Sequence, residues 1–593
     1  MTSASLARRR SAGRVFAIVG GAILIMAIAL LAWVGVRAFL AQQHLSSAQA
    51  IAGDVQSTLT TDPAAMATAA AGLADETAAA RDLTSDPVWK LVEGVPWIGP
   101  QLSAVSTVAA SIDTLVRSGL DPLLDVAAGL DVSAFAPRDG AIDLAPLIAM
   151  QQPAATAASA ASQSASSLDD LDTAGLVGAV RQPLAEASEL MGTVATATEA
   201  LSRATQLVPP MLGADGPRNY LVLFQNNAEW RSLGGIPGAV ILVNTDGGRI
   251  SLADSSDATA LSRFGNGEPI ATLASEVQGI YGLDPVRFMH NTTLVPDFAL
   301  TGELSRAFWE RATGTAVDGV ISIDPVALSY LLRATGPVTL PTGDMLTSEN
   351  AVPLLLNEVY LRYPLGKTQD AFFASAAAAV FGALTSGEAS PTALIEALVQ
   401  AGSEDRLLIW NERDDEQAVL EGTTLAGALP VTDLDATRFG VFVNDGTGSK
   451  MDYYARLETS LGWCESAPDG TTRAGLSVTV RSEAPTDAAT SLPGYITGSG
   501  TFVPEGLIRT VTYIYMPQGS TVLGDAATAG TLGPGTHDGR QVVSWTSDLW
   551  PGESATYEVV VQTPYTELLE LVRTPTLFGT EDADVAAACE VAP

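Results

Sequence analysis

Apolar and polar positions alternate in four distinct ways along this chain, and each pattern predicts a different kind of structure. The first is an unbroken apolar run. Val15 to Val36 spans 22 residues without a charge. At 1.5 Å per helical residue it covers roughly the 30 Å of a bilayer's hydrocarbon core. The second pattern fills residues 40–207, rich in Ala, Ser, Thr, Leu and Asp. PAAMATAAAGLADETAAARDL combines strong helix formers with apolar residues three or four apart, which predicts a helical bundle or stalk. DPVWKLVEGVPWIGPQL interrupts it: Pro96, Gly99 and Pro100 turn the chain, and Trp89 and Trp97 are expected to pin that corner onto neighbouring helices.

VPPMLGADGPRN, from Val208 to Asn219, is a linker, and the third pattern follows it. YLVLF (220–224) and AVILV (239–243) are short apolar runs of the kind buried on both faces of a sheet. DGVISIDPVALSYLLRATGPVTL places a strand at Gly319 to Ile323, a cap at Asp324, Pro325 at the first helical position and a helix over Val326 to Ala334 that stops at Gly336-Pro337. RLLIW (406–410) adds a strand. Residues 215–437 therefore predict an α/β domain. In the fourth pattern, residues 440–565, GLSVTVRS, RTVTYIYMP and ATYEVVVQT are separated by Gly, Pro and Asp turns with no helical period between them. That predicts a C-terminal β-sandwich, with 566–593 as a tail. The whole is multidomain: a transmembrane helix, an α-helical stalk or bundle, an α/β domain and a β-sandwich.

Charge sharpens the picture at two points. With 66 acidic and 31 basic residues the chain carries a net −35, and its only basic cluster is at the extreme N-terminus, so nucleic acid is not an expected partner. Arg8, Arg9, Arg10 and Arg14 precede the apolar run, which makes 1–14 a cytoplasmic tail, 15–36 the span and the rest extracytoplasmic. A cleaved signal peptide is the alternative; its apolar region would be shorter. Trp33, Arg37 and Phe39 favour a membrane anchor. Cys464 and Cys589 are the only cysteines, expected to pair in an oxidising compartment, the alternative being two buried thiols.

Candidate chemistry is narrowed by what is missing. Three histidines, His44, His290 and His537, lie in separate segments, so a His/Cys zinc site is not expected. No G-x-S-x-G elbow and no phosphate loop occur. Carboxylates, amides and guanidinia remain. NYLVLFQNNAEWRSLGGIPGAV places Gln225, Asn226, Asn227, Glu229 and Arg231 after a buried strand, where α/β sheets hold ligands, ahead of an expected Gly-Gly-Ile-Pro-Gly turn. LADSSDATALSRF adds Asp254, Asp257 and Arg263; VRFMHNTTLVPDF adds Arg287, His290, Asn291 and Asp297. Hard oxygens suit Mg²⁺, and arginine forks suit phosphate. Each group also has a structural explanation: satisfying loop backbone, a Glu229–Arg231 or Arg231–Asp297 ion pair, or a solvated turn at Asp254 and Asp257.

NYLVLFQNNAEWRSLGGIPGAV, DPVWKLVEGVPWIGPQL, VPDF and VDGVISIDPVALSYLLRATGPV resemble recurring segments of a bacterial membrane-anchored family catalogued as domain of unknown function 4012. A more distant similarity is to the LytR-CpsA-Psr family, through the strand order and through EVYLRYPLGKTQDAFF, whose Arg362 and Lys367 occupy that family's basic places. This resemblance implies Mg²⁺-assisted transfer of a glycan from a polyprenyl-pyrophosphate carrier to a cell-wall polymer. Glu229, Arg231 and Asp257 would be catalytic, with Glu229 and Asp257 holding metal. Arg231, Arg263, Arg362 and Lys367 would bind phosphate, and Asn226, Asn227, His290, Asn291 and Asp297 would line the site. Asn227, Glu229 and Arg231 stand where that family has an Asp and an Arg, and Lys367 and Asp370 where it has arginine and glutamine. The alternative is a non-catalytic membrane-anchored envelope scaffold or a glycan- or partner-binding protein. Convergence of Arg231, Asp257 and Arg362 separates the two.

Overall fold

The computed structural model describes residues 4–58, 63–127, 137–138, 140–363, 366–464, 472–578 and 589. They divide into two units, Met1–Asp131 with Leu144–Pro209, and Val132–Asp143 with Pro210–Pro593.

The first unit is helical. Its opening helix, Ala4–Thr58, is continuous, so the expected tail, span and start of the stalk are one element; the side chains of Arg8, Arg9, Arg10 and Arg14 lie outside the described residues. Within it, Leu24–Ile51 is long and apolar enough to cross a membrane. Leu24, Ile25, Met26, Ile28, Leu31, Trp33, Val36 and Phe39 are exposed. From Val34 onward a seven-residue stripe turns inward: Val34, Ala41 and Ala48 are buried, Val34 among Trp89, Val92 and Leu102, and the first helix packs along the helix Pro63–Thr84. That second helix runs antiparallel to the first, since Glu76 meets His44 at 2.6 Å and the Arg37 guanidinium donates to the Leu83 and Asp82 carbonyls at 2.8 Å. Small residues at these positions let the backbones approach closely.

The expected corner is present between the helices Pro87–Glu93 and Gly99–Thr114. Gly99 is required there, because a Cβ would lie 2.0 Å from the Glu93 carbonyl oxygen. Trp89 is fully buried against Val34, Val92 and Leu102, with its indole N–H donating to the Leu102 carbonyl at 3.3 Å. Trp97 departs from the expectation that both tryptophans pin the corner: it is 82% exposed. One ring suffices to fill the small space beneath so short a turn.

The second unit is built on strands. β1 (Arg218–Arg231) and β2 (Gly234–Asp246) form a long hairpin, and β3 (Arg249–Asp257) extends it. β4 (Gly319–Ile323) lies parallel to β1. A two-residue ribbon, β5 (Val338–Thr339) with β6 (Met345–Leu346), follows. β7 (Leu407–Asn411) then closes a five-stranded mixed sheet of order β3-β2-β1-β4-β7. Between β4 and β5 the helix Pro325–Thr335 is capped by Asp324, whose carboxylate accepts the Ala327 N–H at 2.8 Å, and it ends at Gly336.

The Gly-Gly-Ile-Pro-Gly stretch is strand rather than turn. Gly234 and Gly235 pair with Arg231 and Trp230, and the register slips between Asn226 and Trp230. A bulge of this kind lets β1 keep pairing while it ejects Asn227 to Glu229. A Cβ on Gly235 would meet the Asn226 carbonyl oxygen at 2.2 Å, so only glycine fits opposite it.

Beyond residue 435, β8 (Ala436–Asp445), β9 (Ala455–Trp463), β10 (Thr472–Ser482), β11 (Ile508–Tyr515), β12 (Thr521–Ala527), β13 (Thr531–His537), β14 (Arg540–Leu549), β15 (Ser554–Thr563) and β16 (Leu568–Arg573) make two sheets. Their orders are β12-β15-β10-β9 and β13-β14-β11-β8-β16. The start of the expected tail, β16, is an edge strand parallel to β8. One apolar cluster joins Val441, Val478, Trp545 and Tyr557 of both sheets to Trp230, Leu328, Leu354 and Tyr360 of the α/β segment. The two segments that differ so clearly in pattern therefore share a core. Cys464 and Cys589, 125 residues apart, are disulfide-bonded.

Candidate functional site

The parallel pairing of β1 and β4 aligns Phe224 with Ile323, so the carboxyl ends of both strands open at one place, where a ligand would ordinarily settle. That place is filled by protein. Asn227, fully buried, donates to Asp324 at 3.0 Å and to the Pro575 carbonyl at 3.2 Å. Arg406, just ahead of β7, donates to Asp324 at 2.7 Å, to Glu404 at 2.9 Å and to the Thr576 carbonyl at 2.7 Å. The Thr574 hydroxyl donates to the Ser232 carbonyl at 2.9 Å. Gln225 bridges Ser322 and the Gly235 N–H. The segment after β16 thus lies across both strand ends.

The ejected turn is equally occupied. Asn226 donates to Glu229 at 2.9 Å and to the Tyr360 phenol oxygen at 3.0 Å. Glu229 is paired with Lys450 at 2.7 Å, and both side chains are largely buried. The Lys450 ammonium also sits 4.8 Å from the ring centre of Tyr360 and 4.6 Å from that of Tyr495. Burial alone would depress this lysine; Glu229 outweighs it and holds the ammonium above the usual lysine range, so Lys450 is a fixed cation and not a base. The Trp230 N–H donates to Asp452 at 2.7 Å and the Ser232 N–H to Asn444 at 2.8 Å. Asp452 is almost fully buried, its other oxygen has no partner, and burial pushes its carboxyl well up, reinforced by neighbouring Asp445.

Arg231 turns to Asn291, donating at 3.0 and 3.3 Å, and to the Trp230 carbonyl at 2.8 Å. Among the described residues it has no ion pair, neither with Glu229 nor with Asp297. His290 stands beside it, stacked on Phe288 with ring centres 5.4 Å apart. Burial, and then the charge of Arg231, lower its pKa and keep the imidazole neutral. The structure therefore brings together Asn226, Asn227, Glu229, Arg231, His290 and Asn291.

The other candidates are elsewhere. Asp257 caps the helix Ala258–Arg263, accepting the Ala260 N–H at 2.7 Å. It ends β3, two strands from β1, on the order of 15 Å from Glu229 by strand spacing and rise. Glu229 and Asp257 consequently do not form a shared metal site, and no group of three His, Cys, Asp or Glu placed to hold a metal occurs among the described residues. Arg263 is exposed at the end of that helix, and Asp254 is exposed on β3. Asp297 caps the helix Phe298–Thr313. Arg362 is bound to Asp344 at 2.8 Å and to Glu358. The side chain of Lys367 lies outside the described residues. A shallow cavity of about 250 Å³ near Arg362 is walled by Pro341, Thr342, Tyr363, Thr368, Ala371, Phe372 and Ser375, which supply no carboxylate or cation.

Sequence reasoning missed Lys450, Asp452, Asn444 and Arg406, the groups that complete the cluster. A signal existed in NDGTGSKMD, Asn444 to Asp452, a second polar run set between two strand patterns.

Residues 215–360 match the family model described as Protein of unknown function (DUF4012). This segment is a DUF4012 domain. It carries the Asn226–Ser232 turn and ends at Tyr360, which accepts a hydrogen bond from that turn. Lys450, Asp452 and Thr574 to Thr576, which cover the turn, lie beyond the matched DUF4012 segment. No curated protein and no solved structure matches the chain.

Proposed function

We propose that this chain is a membrane-anchored cell-envelope protein whose DUF4012 segment and C-terminal sheets form a non-catalytic binding or scaffold module. The N-terminal arginines would stay in the cytoplasm and both units would face outward, the helices acting as a stalk and the C-terminal sheets as a β-sandwich that meets an envelope glycan or protein partner. The observation that carries this reading is the filling of the β1 and β4 strand ends by Asn227, Asp324, Arg406 and the Thr574–Thr576 segment. A pyrophosphate site in the LytR-CpsA-Psr manner needs that space open and needs Arg231, Asp257 and Arg362 at one point. Glycan transfer from a polyprenyl pyrophosphate with Mg²⁺ is the second reading, favoured by the half-buried Arg231 beside neutral His290.

The test is a thermal-shift titration of the detergent-solubilised full chain with a short polyprenyl pyrophosphate, with Mg²⁺ and with chelator, on wild type and Arg231→Ala. A ligand at 100 times its dissociation constant stabilises by about 2.7 kcal/mol. The scaffold reading expects no Mg²⁺-dependent shift. A shift that appears with Mg²⁺ and vanishes in Arg231→Ala would replace it with the transferase reading.

A further inference from the structure

The corner between the helices Pro87–Glu93 and Gly99–Thr114 exposes apolar residues that the helical unit has no use for. Leu91, Val95 and Trp97 are 66%, 43% and 82% exposed, and Gly94 and Pro96 between them are exposed as well. Trp97 moreover holds a left-handed backbone, φ 76°, which a bulky residue adopts only at a cost in strain. A strained, solvent-facing tryptophan with no partner among the described residues calls for another environment.

The corner's position supplies one. The helix Pro63–Thr84 runs back along the first helix, Glu76 at His44 and Leu83 at Arg37. It delivers Asp86 to the level of Trp33 and Arg37: its carboxylate accepts the Trp33 indole N–H at 3.3 Å and pairs with Arg37 at 2.6 Å. The same carboxylate accepts the Val88 and Trp89 N–H groups and starts the helix Pro87–Glu93. Trp89 and Val92 then pack on Val34, and the chain turns. The exposed corner therefore adjoins the part of the first helix where Leu31, Trp33, Val36 and Phe39 are also exposed. The charges nearby are mutually engaged, Asp86 by Arg37 and Glu93 by Lys90. Tryptophan beside aliphatic residues and a basic side chain is the composition of a membrane–water interface.

We propose that the Leu91–Trp97 corner is a second membrane contact, seated in the interfacial layer of the leaflet nearest Arg37. Two adjoining contacts would fix the tilt and rotation of the helical unit at the membrane, which a single helix leaves free. The proposal rests on the first helix spanning a bilayer, and its test separates the two ideas.

Full-length variants Trp97→Cys, Leu91→Cys, Trp33→Cys and Gln152→Cys would each carry an environment-sensitive fluorophore in vesicles of phosphatidylcholine and phosphatidylglycerol. Some of the lipids would bear a nitroxide quencher near the headgroup. All four positions lie on the first unit; Gln152 is exposed on the helix Ala145–Asp169 and serves as the solvent reference. Loss of fluorescence at Trp97 and Leu91 as large as at Trp33, with little at Gln152, is the expected result. Quenching at Trp33 alone would overturn the corner contact and leave the anchor standing. Quenching at none of them would overturn both.

Discussion

Two short turns meet opposite fates in this molecule. Asn226 to Ser232 carries two amides, a carboxylate and a guanidinium, yet Asn226, Asn227, Trp230 and Ser232 are buried. Gly94 to Trp97 carries a valine, a proline and a tryptophan, and every one of those residues is exposed. Polarity alone predicts the reverse of both. A polar turn can be buried when most of its groups find partners, and β8, the segment between β8 and β9 and the segment after β16 deliver Asn444, Lys450, Asp452 and Thr574 to do that. An apolar turn stays outside when the space beneath is already filled, here by Trp89.

The comparison is most easily broken at the buried turn. Lys450→Ala would leave Glu229 buried without its cation and is expected to destabilise the second unit by about 3–5 kcal/mol. The double variant Glu229→Gln, Lys450→Met should recover most of that loss, because neither remaining group carries a charge. Urea denaturation of both variants decides; equal losses would mean that the pair is not a buried charge pair at all.

The two tryptophans of the corner sharpen the exposed side. Trp89→Ala is expected to cost about 3–5 kcal/mol from the cavity beneath the turn. Trp97→Gly, which also relieves the left-handed backbone, should change stability by no more than about 0.5 kcal/mol. Thermal unfolding in detergent measures both, and a large loss in Trp97→Gly would put that ring against protein after all.

A modest, pH-dependent effect concerns a third turn. Asp405 has φ 55°, and burial pushes its carboxyl from the usual 3.8 to about 6, partly opposed by Arg406. A carboxyl raised in the folded state binds its proton more tightly there. Its contribution is present in full below pH 4 and is lost as pH climbs through 6. Asp405→Asn keeps a residue that tolerates this backbone and removes the charge. It should gain roughly 1 kcal/mol at pH 7.5, after allowance for partial exposure, and nothing at pH 4. Denaturation at the two pH values checks the difference.

Much of the local structure was legible in the residues. The strand Gly319–Ile323, its Asp324 cap and the helix ending at Gly336 follow from apolar run, cap and stop signals that act over a few positions. The apolar helix and the Pro-Gly corner follow in the same way. The candidate site was legible only by half. Asn226, Asn227, Glu229 and Arg231 do meet His290 and Asn291, but Asp257, Arg263, Asp297 and Arg362 serve caps, a solvated surface and a surface ion pair. Nothing in the spacing of these residues distinguishes a ligand-binding carboxylate from a helix cap, since both need the same oxygen.

Sequence by itself determined the strand Gly319–Ile323 with its Asp324 cap and following helix, the Pro-Gly corner and the apolar length of the first helix; that Gly234 to Gly238 is strand and that Leu568–Arg573 adds an edge strand came only with the packing of the sheets. Tertiary structure decided what the polar turn contacts. Lys450 reaches Glu229 across 221 residues, and Pro575 reaches Asn227 across 348. Pairings of that range are set by how sheets pack, and no local pattern encodes them.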